Sequence, residues 1–332
     1  MIYEIKTKFK KYLPFFISKV DKMNFKSFKA SNKEKRPKIQ KLETFENVYL
    51  HVPTGTLYKK NYGIISQSKI GLGRLRRTGL INITKPEFKR VKKIEVGSTI
   101  YCNSAKSGFY HWLIECIPRA ELLKDGIPVY LPPLNNLNKV ILNFIYPDLN
   151  IKYENSKWLY FKKFELPLFY ANPGKGYIPV NFRQRILSKM DCQLDINVLY
   201  ISRSKAKKRR MLNENKLLEE IIINKKNKAI NLELYSFEKQ LEFINRSKII
   251  IAPHGAGLSN IIAASEETTI LEILPTSERP MDFYKCLSES IKINYHFMLI
   301  ENQVGRHSDY RLTEIDINFI KNFISKTLGN YD

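Results

Sequence analysis

Lys248-Ile-Ile-Ile-Ala-Pro-His-Gly-Ala-Gly-Leu-Ser-Asn260 runs an apolar segment into a glycine-containing turn and on into a second apolar segment, Leu258 to Ala264. The spacing predicts a buried strand over 248–252, a tight turn at Gly255-Ala256-Gly257, and a helix behind it. Glycines let a backbone approach a ligand closely, and the free N–H groups and positive dipole end of a following helix favour negative charge. His254 falls at the carboxyl end of the strand, where open α/β sheets place their ligands, and can donate a hydrogen bond to a phosphate or sugar oxygen. The plain alternatives are a tight turn with nothing bound and an imidazole satisfied within the core.

Outward from this stretch the pattern is regular. A strand at Asn197–Ser202 precedes a helix from Asn213 to about Ile223, and a short strand near Leu232–Tyr235 precedes a helix at Phe237–Asn245. A further strand at Thr269–Leu274 ends at Pro275, and Thr313 with Asp316 opens a capped helix to Leu328. Strands alternating with helices imply a parallel sheet with right-handed crossovers, a Rossmann-like domain. The first half is mixed. Strands are expected at 48–52, 99–102, 129–131, 151–153 and 158–164, helices at 110–123 and 137–144, and a turn-rich linker at 171–176. The organisation expected is an N-terminal segment 1–41, α/β domains at 42–185 and 186–305 with a cleft between them, and a C-terminal helix within 306–332.

The 332 residues suffice for two ordinary domains, and no apolar run is long enough to span a bilayer. A formal net charge of +24 predicts attraction to something anionic, whether nucleic acid, an acidic membrane face or an anionic substrate. The charge is dense in residues 1–41, where 13 Lys/Arg accompany Ile2, Ile5, Phe9, Tyr12, Phe16 and Val20 at helical spacing, interrupted by Pro14. A basic amphipathic segment of this kind suits an anionic lipid surface; packing on the protein's own body is the alternative. No signal peptide is recognisable, and Cys102, Cys116, Cys192 and Cys286, far apart and without metal-ligand spacing, fit small buried side chains in a reducing compartment.

Two further clusters can carry chemistry. After the strand at 197–202 come Arg203, Lys205, Lys207, Lys208, Arg209 and Arg210, then Asn213 and Glu214. If this strand neighbours the one ending at His254, Arg203 and one of Arg209 or Arg210 overhang the glycine turn, where guanidinium forks match phosphate oxygens. A solvated basic loop is the plain reading for the lysines, and an ordinary N-cap that for Asn213. In Asn103-Ser-Ala-Lys-Ser-Gly-Phe-Tyr-His-Trp-Leu-Ile-Glu-Cys-Ile-Pro-Arg119, a helix would set His111, Glu115 and Arg119 on one stripe. Either His111 or Glu115 could take a proton from a sugar hydroxyl. Glu272, inside Ile270-Leu-Glu-Ile-Leu-Pro275, is costly in an apolar strand unless paired, and holding ribose hydroxyls is one use.

Taken in order, 111–119, Ser202-Arg203 with Arg209-Arg210 and Asn213-Glu214, His254 to Asn260, and Leu271 to Pro275 resemble glycosyltransferase family 61 over about residues 100–300. The resemblance implies a GT-B fold, two Rossmann-like domains facing across a cleft, and inverting transfer of a sugar from a nucleotide-sugar donor such as a UDP-sugar. It implies that Arg203, Arg209 or Arg210, Asn213, His254, Gly255, Ala256, Gly257 and Glu272 hold the donor. His111 and Glu115 would face the acceptor, with Asn103 and Arg119 beside them. A bacterial role in capsule, lipopolysaccharide or O-antigen synthesis, at the inner face of the cytoplasmic membrane, goes with it. The chain holds no Asp-x-Asp motif, so no divalent metal or other cofactor is expected, the arginines and the helix N-terminus taking the leaving charge instead. An NAD(P)-dependent oxidoreductase is the rival reading, because Gly255-Ala-Gly257 precedes Glu272 at nearly the ribose-acid distance. It is weakened by Asn260 at the third glycine position and by the turn's late place in its domain. A basic nucleic-acid-binding protein is the non-enzymatic rival, resting on charge alone.

Overall fold

The computed structural model describes residues 25–28, 40–68, 86, 90–169, 180–191, 193–276, 283–305 and 308–329. Strand β1 (Phe25–Phe28) pairs with the last long strand of the chain, and the first half then forms its own 7-stranded sheet. That sheet contains β2 (Gln40–His51), β3 (Thr56–Lys59), β4 (Gly63–Ile64), β5 (Lys92–Ser98), β6 (Val129–Leu131), β7 (Ile151–Tyr153) and β8 (Trp158–Phe169), in the order β4-β3-β2-β8-β5-β6-β7. Helix α1 (Asn136–Ile145) connects β6 to β7. β8, β5, β6 and β7 run parallel, whereas β2, β3 and β4 form an antiparallel meander joined to β8. The turn between β2 and β3 depends on Gly55, at φ 67, where a Cβ would land 1.9 Å from the Tyr101 carbonyl oxygen. The first half is therefore a mixed sheet, Rossmann-like in its parallel part alone.

The second half begins with α2 (Val180–Leu187) and continues β9 (Ile196–Ile201), α3 (Glu214–Ile221), β10 (Asn227–Ile230), α4 (Phe237–Asn245), β11 (Ser247–Pro253) and β12 (Thr269–Pro275). It closes with α5 (Phe283–Ile291), β13 (Asn294–Ile300), the short hairpin β14 (Gln303–Val304) and β15 (Asp309–Tyr310), and α6 (Glu314–Leu328). The sheet order is β1-β13-β12-β11-β9-β10, all parallel except the β1 edge. Counted from β9, this is the doubly wound order 2-1-3-4-5. Both faces are covered, so the strands are apolar at nearly every position. Ile249 and Ile251 pack in one layer with Leu217 of α3 and Ile320 of α6. Ile250 and Ala252 face the other layer, with Leu241 of α4 and Leu287 of α5. Each fully buried aliphatic side chain contributes roughly 1.5–3 kcal/mol.

The second of these layers also holds Trp112, Leu113 and Ile117 from the first half, so the two halves meet in one core. That seam lies near the carboxyl ends of β9 and β11, and it positions the site. Several expected elements are displaced. The strand expected at 99–102 is β5, ending at Ser98, and the one expected near 232–235 is β10 at 227–230, followed by a 3-10 turn at Leu232–Leu234. The helix behind the glycine turn is a 3-10 helix, Ala256–Ala263. The amphipathic helix expected within residues 2–20 and the linker at 171–176 lie outside the described residues.

Candidate active site

β9 and β11 are neighbours, but the crossover after β9 leads outward to β10 and the next one returns past β9 to β11. Such a reversal opens a crevice outside the carboxyl ends of the two strands, where doubly wound sheets bind ligands. Here the crevice is lined by Ser202 and Arg203 after β9, Leu232 and Glu233 after β10, and Gly255 and Gly257 after β11. Its walls are held from behind. Buried Glu214 accepts hydrogen bonds from the Tyr200 hydroxyl at 2.9 Å and from Ser202 Oγ at 2.7 Å, fixing the end of β9. The Tyr284 hydroxyl donates to the Gly255 carbonyl at 2.6 Å, and Asn260 Nδ2 donates to Gln240 Oε1 at 2.9 Å, tying the 3-10 helix to α5 and α4. Leu258 N–H closes the first turn onto Gly255 O, so the amides of Ala256 and Gly257 precede the first intrahelical bond.

Arg203 crosses the glycine turn. A Cβ on Gly255 would fall 1.9 Å from Arg203 Nη1, so that glycine admits the guanidinium. Arg203 Nη2 donates to the Lys208 carbonyl at 3.1 Å, while its buried Nε has no hydrogen-bond partner among the described residues. Burial, and after it the like charge of Arg209, lowers the Arg203 guanidinium below its ordinary value. Arg209 itself sits at φ 57, a left-handed conformation that costs a non-glycine residue about 1–3 kcal/mol. Arg203 is thus held partly desolvated and within reach of Arg209's like charge at the switch point, and a bound dianion would offset that repulsion.

The remaining donor residues divide. Arg210 is turned away: its Nε and Nη2 reach Asp309 Oδ2 at 3.0 and 2.8 Å, so of the pair left open by sequence Arg209 is the one whose charge acts on Arg203. Asn213 is likewise occupied elsewhere, donating to the Leu312 carbonyl and accepting from the Leu312 amide, both at 2.9 Å, and it gives no side-chain cap to α3. Glu272 is 2 % exposed; His254 Nδ1 lies 2.5 Å from one of its oxygens and the Tyr295 hydroxyl donates to the other. Both oxygens are taken inside the sheet layer, which removes the ribose acid that the dinucleotide reading required. His254 is buried, with its ring edge against Tyr284 at 5.6 Å.

On the other side of the seam, residues 110–123 do not form one α-helix. A π-helical turn at His111–Cys116, closed by Ile117 N–H to the Trp112 carbonyl, gives way to a 3-10 turn at Ile117–Leu122 across Pro118. A wide turn followed by a tight one breaks the stripe. His111 Nδ1 and Glu115 Oε2 stay within ion-pair distance at 2.9 Å, both side chains slightly exposed. Arg119 departs. It is 1 % exposed, with Nε and Nη2 unpartnered among the described residues, so it cannot touch an acceptor. Its neighbours are Cys102 and Cys116, distant in sequence, whose sulfurs lie 3.1 Å apart; the hydrogen bond from Cys116 and the charge of Arg119 pull the Cys102 thiol below its usual value. Asn103 is buried in the turn 103–107 rather than presented to a cleft.

Aromatic rings join the two His–Glu pairs. Tyr110, beside His111, contacts Phe283 at 4.8 Å and Tyr284 at 5.8 Å, and Tyr284 contacts His254. One region thus holds paired guanidiniums, exposed turn amides, and His111–Glu115 and His254–Glu272 on opposite sides of the seam. Sequence reasoning missed Tyr284 and Tyr295, which carry no motif and gain meaning from strand order and register: Glu272 pairs with Phe297, and Tyr295 lies two residues earlier on the same face. No curated protein matches the chain. Residues 109–271, just under half of the chain, match the family model described as Glycosyltransferase 61, and this segment spans His111, Glu115, Arg203, Arg209 and the His254–Gly257 turn. Residues 109–271 are thus similar to glycosyltransferase family 61, and the chain is a glycosyltransferase.

Proposed function

We propose that the chain is an inverting, metal-independent glycosyltransferase of GT-B arrangement that moves a sugar from a nucleotide-sugar, taken here as a UDP-sugar, to a glycan acceptor of a bacterial surface polysaccharide. The observation that carries this reading is the Arg203 guanidinium over the Gly255 turn at the switch point, with the charge of Arg209 acting on it, a cationic edge suited to phosphate oxygens. In the reaction the acceptor hydroxyl attacks the anomeric carbon opposite the diphosphate. The new C–O bond forms as the bond to the diphosphate oxygen breaks, which inverts the carbon. Glu115 Oε2 lies 2.9 Å from His111 Nδ1, a charge placed to support an imidazolium, and in this reading the hydroxyl proton passes to His111 Nε2. The two guanidiniums and the turn amides take up the charge that develops on the leaving diphosphate, a role that elsewhere falls to a metal. The dense positive charge of residues 1–41 supports docking on an anionic membrane surface at the cytoplasmic face, next to a lipid-linked or growing glycan.

The test is a screen of nucleotide-sugars for turnover in excess EDTA, with the anomeric configuration of any product read by NMR. Turnover that survives EDTA and yields the inverted anomer is expected. A strict requirement for added divalent metal, or retention at the anomeric carbon, contradicts the mechanism.

A further inference from the structure

Glu272 lies in the middle of β12, on the same face as Ile270 and Leu274, where an aliphatic residue would complete the layer. A carboxylate buried there is retained at a cost unless its hydrogen bonds are satisfied, and they are, by His254 and Tyr295. The arrangement also has a direction. The Tyr295 hydroxyl donates to one carboxylate oxygen; a carboxylate without its proton has no hydrogen to give the ring nitrogen that faces the other oxygen, which leaves that nitrogen as the donor. We infer that Glu272, braced by Tyr295, is a positioning residue that locks His254 in its Nδ1–H tautomer and so presents Nε2 to the donor as a hydrogen-bond acceptor. An acceptor nitrogen pairs with a hydroxyl group rather than with an ionised phosphate oxygen. The inference therefore divides the site: the arginines and turn amides hold the diphosphate, and His254 reads a hydroxyl of the ribose or of the transferred sugar. It rests on the donor-site reading for its function, although the tautomer itself does not.

The substitution Glu272→Gln separates these ideas. With the Tyr295 hydroxyl still donating to the amide oxygen, the amide NH2 is left facing Nδ1, which must then accept, and the ring is driven to the Nε2–H form. Adding Tyr295→Phe frees the amide to turn its oxygen to Nδ1 and restores the original tautomer. The measurement is 15N NMR of the ligand-free protein at alkaline pH, with His254→Gln assigning the signal. Wild type and Tyr295→Phe are expected to show protonated Nδ1, Glu272→Gln protonated Nε2, and the double variant protonated Nδ1 again. Turnover is expected to fall at least about 100-fold in Glu272→Gln and to recover in the double variant, a pattern that mere loss of packing would not give. Binding of inorganic pyrophosphate, which has no hydroxyl, is expected to be unchanged. Weakened UDP binding in Glu272→Gln identifies the ribose as the partner; weakened UDP-glucose turnover with unchanged UDP binding identifies the sugar. Protonated Nε2 in the wild type, or the same tautomer in Glu272→Gln, overturns the inference. Failure of the wild type to bind pyrophosphate and UDP overturns the donor-site reading and leaves the NMR result standing.

Discussion

Gly255 has φ 179, extended backbone that any residue adopts, so an alanine there meets no backbone strain. What its Cβ meets is the Arg203 guanidinium, the far end of a flexible side chain. Gly255→Ala is therefore expected to lower the melting temperature by no more than about 4 °C, since the half-buried Arg203 side chain can swing aside at a cost of about 1 kcal/mol. It is expected to weaken nucleoside diphosphate binding by tenfold or more, because displacing a charged hydrogen bond costs about 1.5–3 kcal/mol. Calorimetry on the one variant reads both numbers; a large loss of stability with affinity intact would mean that the glycine serves folding. The same logic explains why sequence alone could not choose between Arg209 and Arg210. The two are adjacent, and the choice turns on Asp309, 99 residues away from Arg210, whose Oδ2 accepts from both Nε and Nη2 and whose Oδ1 accepts from the Arg210 amide.

Among the elements, α6 reports how far local chemistry reaches. Thr313 Oγ1 accepts from the Asp316 amide while an Asp316 carboxylate oxygen accepts from the Thr313 amide at 2.7 Å, a reciprocal cap, and Ile317, Ile320 and Ile324 are buried. Thr313→Ala is expected to cost about 1 kcal/mol of unfolding free energy, measured by urea titration, with binding untouched; no change would mean that packing alone holds the helix end. This helix and α4, Phe237–Asn245, are legible from the chain because cap and apolar face agree, and β6 because a short apolar run is bounded by turn residues. β10 is hidden by its composition: Asn227-Lys-Ala-Ile230 is an edge strand whose middle residues face solvent. Residues 111–122 misled through periodicity. A stripe of His111, Glu115 and Arg119 presumes 3.6 residues per turn, and the π turn with Pro118 keeps the first two together while sending Arg119 inside. Of the site, the glycine turn, Arg203, His254 and the His111–Glu115 pair are written locally. The uses made of Glu272, Asn213 and Arg210 depend on strand order, which the one-dimensional pattern does not carry.

At the scale of the whole molecule, two sheets share a core and a net charge of +24. Among the described residues no helix is long and apolar enough to cross a membrane. Acid adds to the charge, and one buried group sharpens the effect. Burial, then the nearby Lys157 and Lys106, lowers the His51 imidazole from its usual 6.5 to about 4, with Nδ1 against Thr54 Oγ1 at 2.7 Å. The unfolded chain therefore takes up a proton at a higher pH than the folded one, so stability present above pH 6.5 is lost as pH falls towards about 4. The unfolding midpoint is expected to drop across that window, and His51→Gln to flatten the drop; an unchanged slope in the variant would assign the acid sensitivity to other groups. The central claim is that the β9–β11 switch point binds a diphosphate through Arg203 and Arg209. Isothermal titration of nucleoside diphosphates into wild type, Arg203→Ala, Arg209→Ala and Arg210→Ala tests it most directly. Binding is expected in wild type and in Arg210→Ala, with loss of about 1.5–3 kcal/mol of binding free energy in each of the other two; equal affinity in wild type and Arg203→Ala would contradict diphosphate binding at this switch point.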